Sequence, residues 1–317
     1  MKALAIDLGG TFTKAAVVDE TGRFLSYEKI KTGGERQAPQ IVSDIIDLAL
    51  NVIKKANTRP EEISHIGMAS PGMVNEHTGE IVRINNINLS GINFKAGFSK
   101  HFSAPFFISN DANCAALGEY FMLKEKPQSM VMVTIGTGIG GGIIHEGKLF
   151  LGINGLCGEI GHMGIVKGGK KCTCGRYGCF EQYASTSALI RMVKERMENN
   201  PQSPFWQICG DIEKVDGKTV FLGLDKDFPE AKEIFDGWLE YLSYGILNII
   251  NIFQPQLILL GGGIMNEKDR ILPKVREYII KNRYCNYPLD LGITQIDVAL
   301  GNDAGLIGAS LLGRKIL

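Results

Sequence analysis

Residues 2–31 read KALAIDLGGTFTKAAVVDETGRFLSYEKIK. Lys2 to Leu8 is a short apolar run, Thr11 to Val18 a second and Arg23 to Lys31 a third. A Gly-Gly turn separates the first two, and Asp19-Glu20-Thr21-Gly22 separates the second from the third. Short apolar runs punctuated in this way predict an antiparallel three-strand meander. The first turn carries Asp7 before Gly9 and Gly10, and Thr11, Thr13 and Lys14 after them. Glycines let a backbone approach phosphate oxygens, hydroxyls and N–H groups donate to them, and an acid such as Asp7 can hold magnesium through water. The same text is also a common hairpin turn, so these residues alone leave both readings open.

Outward from this meander, residues 131–150, VMVTIGTGIGGGIIHEGKLF, repeat its outline. A strand, a Thr-Gly turn, a strand and a Glu-Gly turn follow one another, as an internal repeat of structure rather than of letters. Thr134, Thr137 and the glycines from 136 to 142, Gly138 among them, form a second loop of the phosphate type. Its glycines lie between two strands, not between strand and helix, so the dinucleotide fingerprint does not apply.

Between the meanders, Ile41, Ile45, Leu48 and Val52 predict an amphipathic helix over Ala38–Ala56. Ile63–Ala69 reads as a strand, and Ser70-Pro71-Gly72 as the start of a loop. Residues 85–93, NNINLSGIN, read as a loop whose amides either satisfy turns or suit a hydroxyl-rich ligand. Phe106–Ser109 is a strand, and Asn110-Asp111 opens a helix through Met122. Asp111 is then either a helix cap or a carboxylate pointed into a cleft. Further on, helices are predicted over Gln182–Met197, Pro229–Phe253 and Lys268–Lys281, with strands at Leu257–Leu260 and around Ile296 and Val298. Gly261-Gly262-Gly263 is a turn, and a closing helix follows Gly301-Asn302-Asp303 through Leu312. A joint between two lobes is expected near Gly118–Met130, where Pro127 and several charges sit.

Thirty-four basic and 34 acidic side chains balance over 317 residues, which argues against nucleic acid or an anionic membrane as the main partner. No run reaches the length of a membrane span, and the opening residues are neither a signal nor a transit peptide. A cytoplasmic protein with reduced thiols is therefore expected. His65, His77, His101 and His145 read as surface or turn residues. Cys114, Cys157, Cys209 and Cys285 read as buried or incidental.

The chemistry is concentrated in residues 153–182, INGLCGEIGHMGIVKGGKKCTCGRYGCFEQ. Cys172, Cys174 and Cys179 stand at C-x-C-x4-C spacing, with His162 upstream and Glu159 and Glu181 flanking them. Three thiolates and one imidazole make a tetrahedral zinc shell of Cys3His type. The alternatives are three unrelated thiols beside a surface histidine, or a disulfide pair.

Together the two meanders, the glycine turns at 9–10, 136–142 and 261–263 and the cysteine loop resemble the ROK family, whose sugar kinases share the actin-like ATPase fold. The resemblance covers essentially the whole chain. Its most specific pieces are GEIGH at 158–162 and CTCGRYGCFE at 172–181. It implies a duplicated, ribonuclease H-like α/β fold in two lobes with a cleft between them: residues 1–120 plus 301–317, and residues 121–300 carrying the zinc loop. It implies that DLGGT and TIGTG, with Thr137 and Gly138, hold ATP phosphates, and that Gly262 and Gly263 contact the adenosine side. Asn110 and Asp111 match the family's Asn-Asp pair, with Asp111 as general base. Glu159, His162 and Glu181 match its sugar ligands, with His162 also on zinc, and Gly72 and Asn88 match loop positions that touch the sugar. The family's common proline and tryptophan around that second loop are absent, the text being Leu89-Ser90-Gly91-Ile92.

The expected activity is Mg2+- and ATP-dependent phosphorylation of a hexose at its 6-hydroxyl. Glucose comes first, and N-acetylglucosamine, N-acetylmannosamine, fructose or a β-glucoside are alternatives. A polyphosphate donor, or a sugar-sensing regulator without catalysis, is a further alternative. Family repressors carry an N-terminal helix-turn-helix, whereas this sequence opens on the first strand, so a kinase is expected. Homodimers are usual in the family.

Overall fold

The computed structural model describes residues 1–284, 294–299, 301 and 303–314, so Cys285 and Asn302 lie outside the described residues. The first half runs β1 (Lys2–Leu8), β2 (Phe12–Asp19), β3 (Phe24–Lys31), α1 (Ala38–Lys55), β4 (Ile63–Ser70), β5 (Met73–Asn75), β6 (Glu80–Arg83), β7 (Ile92–Asn93), α2 (Phe94–Phe98), β8 (Phe106–Asn110) and α3 (Asp111–Met122). Then come β9 (Ser129–Ile135), β10 (Ile139–His145), β11 (Lys148–Leu149), α4 (Glu181–Ala184), α5 (Thr186–Asn199), α6 (Phe205–Cys209), α7 (Thr219–Asp225) and α8 (Pro229–Phe253). β12 (Leu257–Gly261), α9 (Lys268–Asn282), β13 (Gln295–Val298) and α10 (Ala304–Leu311) complete it.

Two five-stranded sheets have the orders β3-β2-β1-β4-β8 and β11-β10-β9-β12-β13. By rank within each half the order is the same: third, second, first, fourth, fifth. In the first sheet the meander pairs are antiparallel, while β1–β4 and β4–β8 are parallel. In the second, β10–β11 is antiparallel and β12–β13 parallel. This is the duplicated α/β architecture of the actin-like ATPase fold. A small sheet, β5-β6-β7, lies after Gly72, and its last strand falls in the predicted loop 85–93.

The chain divides into two compact units. One comprises Met1–Met130, Gly142–Gly158 and Leu300–Leu317; the other comprises Val131–Gly141 and Glu159–Ala299.

In the first unit both faces of the sheet are covered, which is why β1 and β2 are apolar almost without interruption. Leu4, Ile6, Leu8 and Val17 pack against Ile41, Ile45, Leu48 and Val52 of α1. That helix starts with a proline in its first turn and ends on Lys54 and Lys55, both suited to the helix dipole and its unpaired termini. On the other face, Ala5, Ala16, Val18 and Ala69 meet Cys114 of α3 and Leu306 and Ala309 of α10. The small side chains let α3 and α10 come very close. A Cβ on Gly308 would sit 1.7 Å from the Cys114 carbonyl oxygen, a backbone atom that has no rotamer to escape into. Gly308→Ala is therefore expected to destabilise the protein by about 1–3 kcal/mol through overpacking, read as a lower urea midpoint at unchanged slope.

His65, expected at the surface, is instead buried in β4. The reason is α10, whose Ser310 carbonyl accepts from His65 Nε2 at 2.8 Å across 245 residues of sequence. That bond fixes the Nε2–H tautomer. Burial lowers the pKa of His65, with Arg314 acting the same way against the Ser310 bond. The unfolded chain, with a histidine pKa near 6.5, then takes up the proton first as pH falls. The contribution of His65 is complete above about pH 6.5 and is lost as pH drops toward its lower folded pKa. Urea midpoints at pH 7.5 and 5.5 are expected to differ less for His65→Gln than for the wild type.

In the second unit α8 packs against α4, α5, α7 and α9. Trp238, fully buried on α8, donates from Nε1 to the Ser185 carbonyl at 3.1 Å. The single helix expected over Gln182–Met197 is therefore two. Ser185 breaks it, capping α5 by accepting from the Ala188 N–H at 3.0 Å. Among the described residues no helix is long and apolar enough to cross a membrane.

Candidate active site and metal centre

In the first unit, β1 and β2 pair Asp7 with Lys14 and Leu8 with Thr13, which puts Gly9, Gly10 and Thr11 at the turn. Gly10 and Thr11 are exposed, whereas Thr13 is fully buried. The Thr32 hydroxyl donates to the Gly9 carbonyl at 2.7 Å, so the 3.0 Å Thr13–Thr32 contact has Thr13 as donor. Thr13 thus braces the turn from below. Lys14 Nζ lies 3.6 Å from Asp7 Oδ2 and 3.6 Å from Asp303 Oδ1. Desolvation raises the pKa of Asp7 and Lys14 opposes it. Nothing local in the sequence singles out Asp303; only the fold brings it to Lys14.

At the end of β8, Asn110 is the N-cap of α3. Its side-chain oxygen accepts from the Ala112 N–H at 2.9 Å, and its amide donates to the Gly72 carbonyl at 3.2 Å. Asp111 is the first residue of the helix, not its cap, and its Oδ1 also accepts from Ala112 N–H. Just before it, the Ser109 hydroxyl donates to Glu76 at 2.6 Å, a pairing with no sequence signal, and burial raises the pKa of Glu76. Asn88 is exposed, and its amide donates to the Arg36 carbonyl at 3.3 Å.

In the second unit the ligand atoms of His162, Cys172, Cys174 and Cys179 all lie within 4.8 Å of one another. Cys174 and Cys179 Sγ are 3.7 Å apart, and Cys172 Sγ is 3.6 Å from His162 Nδ1. A tetrahedral shell with Zn–S of about 2.3 Å and Zn–N of about 2.0–2.1 Å has S···S edges near 3.8 Å and S···N edges near 3.6 Å. The donor set therefore fits a four-coordinate thiophilic cation. Every described cysteine is free. Burial pushes the Cys172 thiol up to about 12, with Glu181 adding to it, and burial raises Cys179 as well. At the exposed Cys174 burial is outweighed by the Arg176 backbone N–H and the two other thiols, and its pKa falls. Thiols this desolvated ionise only beside a compensating positive charge.

Nδ1 of His162 faces the cysteines, while Nε2 lies 3.9 Å from Glu159 Oε2. Glu181 Oε1 is 3.1 Å from Cys172 Sγ and 3.8 Å from His162 Nδ1. The two acids and the imidazole that the sequence grouped around the cysteines are thus together. The Gly262 turn also meets the second glycine loop. Gly262 has φ 101°, and a Cβ there would lie 2.1 Å from the Ile135 carbonyl oxygen, one residue before Gly136.

The sequence profile of the ROK family matches residues 3–316. This chain belongs to the ROK family. The glucokinase of Halalkalibacterium halodurans is 30% identical to this ROK chain over 98% of its length and 94% of that protein. A ROK glucokinase from Streptomyces griseus, solved with glucose and AMPPNP, superimposes with a TM-score of 0.81 at 30% identity, over 98% of this chain and 99% of that one. The family also holds regulators. The xylose repressor of Bacillus subtilis is 28% identical over 97% of this ROK chain and 76% of the repressor.

Proposed function

We propose that this ROK chain is an ATP-dependent hexose kinase that phosphorylates the 6-hydroxyl, with glucose as first substrate. The observation that carries the reading is the aim of His162. One ring nitrogen lies on the side of the cysteines, with Glu181 beside it and Cys172, and the other lies beside Glu159. A structural site alone needs no carboxylates at its edge. A sugar needs such clustered donors and acceptors, because an unpaired polar group in a binding site costs about 1–3 kcal/mol. Glucokinase relatives over nearly the full length support the same reading.

In this proposal His162 Nδ1, Cys172, Cys174 and Cys179 hold zinc, whose four protein ligands give it a structural and orienting role rather than that of a Lewis acid. His162 is then locked as a donor from Nε2–H. Glu159 and Glu181 accept from sugar hydroxyls, and Asn110, Gly72 and Asn88 supply further contacts. Asp111 takes the proton from the 6-hydroxyl as the new O–P bond forms. The N-terminal end of a helix favours a negative charge by about 0.3–1 kcal/mol, and Asp111 is the first residue of α3. The N–H groups and hydroxyls of the turns at 9–11 and 136–138 bind nucleotide phosphates, with Lys14 placed against them. Gly262 and Gly263 border the adenosine. Asp7 and Asp303 flank Lys14 with two carboxylates, an arrangement suited to magnesium through water.

A panel of hexoses and N-acetylhexosamines in a coupled ADP-release assay tests this, run with ATP and with polyphosphate. Phosphorylation of none of them, with sugar binding retained, would point to a regulator. We also propose a cytoplasmic homodimer, with Tyr244, Ile252, Phe253 and Ile280, all exposed on α8 and α9, as its contact. Sedimentation at the mass of one chain at micromolar concentration would remove the dimer.

A further inference from the structure

The cysteine cluster and the second glycine loop are joined by more than proximity. Segment 179–186 runs from one to the other. Cys179 belongs to the cluster. Phe180, fully buried, is wedged on α8 where Gly245 leaves no room for a Cβ, which would be 2.2 Å from the Phe180 ring. Ser185 is held by Trp238 Nε1 at 3.1 Å. Thr186 then donates its N–H to the Gly136 carbonyl at 2.9 Å, and the Gly136 N–H donates to the Gly138 carbonyl at 2.9 Å.

Glu181 makes a second link. Its Oε1 lies 3.1 Å from Cys172 Sγ, which can donate to it only as a thiol and not once zinc holds the sulfur as a thiolate. Its Oε2 occupies the space over Gly138, 2.6 Å from where a Cβ would be. A third link comes from the other side of the cluster. Gly161, beside His162, packs so closely on β10 that its Cβ would lie 2.0 Å from the Ile139 carbonyl oxygen. Residues 136, 138 and 139 are thus each fixed by a residue within seven positions of a cluster ligand.

We propose that the cluster and segment 179–186 form a strut that positions the Gly136–Gly138 turn, so that nucleotide binding, and not only sugar binding, depends on the metal. This rests on the kinase reading. Glu181 acts here as a positioning residue for the turn, in addition to its contact with sugar. No step of the reaction runs through it.

The test leaves sugar out, so that the sugar contacts of Glu181 cannot contribute. The zinc affinity of the full chain is measured in chelator-buffered zinc, with and without saturating Mg-ADP. The ADP affinity of the zinc-loaded and stripped protein is measured by titration calorimetry. Linkage requires both to change by one factor, expected between about 5- and 150-fold. Gly138→Ala, whose added Cβ would meet the Glu181 carboxylate, is expected to reduce that factor. It should have no further effect in a Glu181→Ala background. Glu181→Gln, which keeps the shape over Gly138, should preserve the factor. Zinc affinity that ignores ADP, in a protein that binds ADP and keeps its circular dichroism, overturns the strut and leaves the kinase reading standing. A zinc-loaded wild type that binds no ADP overturns both.

Discussion

Asp111→Ala is expected to bind hexose about as well as the wild type and to turn it over about 10²- to 10⁴-fold more slowly, the usual contribution of a positioned base. The local structure makes this a clean experiment. Asn110, not Asp111, caps α3, so the helix keeps its cap when Asp111 is shortened. The Asn110 bond to the Gly72 carbonyl does not involve Asp111. What the helix loses is one bond to the Ala112 N–H and a favourable charge in its first turn, about 0.3–1 kcal/mol. A fall in kcat with an unchanged sugar Kd by calorimetry then reports chemistry rather than folding. Asp111→Asn, of the same shape, should fall with it. Unchanged turnover in either variant removes Asp111 as the base.

Loss of the metal is the second large effect. Metal analysis is expected to give one zinc per chain, and Cys179→Ala none. Apparent zinc binding energies in small structural sites are about 10–16 kcal/mol, comparable to the whole stability of an ordinary domain. Two features confine the damage. Among the described residues the loop 164–179 has no helix and only isolated bridges, Gly164 to Cys179 and Lys171 to Tyr177. The core of its unit is built independently, on Trp238, Leu242 and Ile246 of α8. Stripped protein is therefore expected to keep most of its helical signal while trypsin gains access to Lys167, Lys170 and Lys171. Sugar KM and nucleotide KM should both rise. A metal-free, fully active preparation would refute the cluster.

Much of this was legible in the sequence because the signals were local. Pro229 in the first turn and apolar residues at helical spacing gave α8 its limits, Pro229–Phe253. Short apolar runs bounded by turns gave β1 to β3 within one residue or so. Cysteine spacing brought three thiols together, because the tight loop between them leaves few other geometries. What the sequence missed is decided at long range. His65 looks like the outward residue of an alternating strand until α10 covers that face. Ser185 sits inside an unbroken helical pattern, and only Trp238 and the α5 cap make it a break. β5 to β7 and α2 are too short to show a period. Glu181 reads as a loop acid, and nothing local tells that one of its oxygens sits over Gly138.

The close contact between α3 and α10 has a consequence for how the protein is made. The face of Ala5, Ala16, Ala69 and Cys114 is closed by Leu306 and Ala309. A ribosome that has finished α3 must still add residues 123–303 before α10 begins. At about 5–20 residues per second this takes on the order of 10–40 s. For that time the first sheet has one face covered by α1 and the other without its last helix. The nascent N-terminal half is then a client for chaperones, and a chain that stops short of α10 is one for proteases.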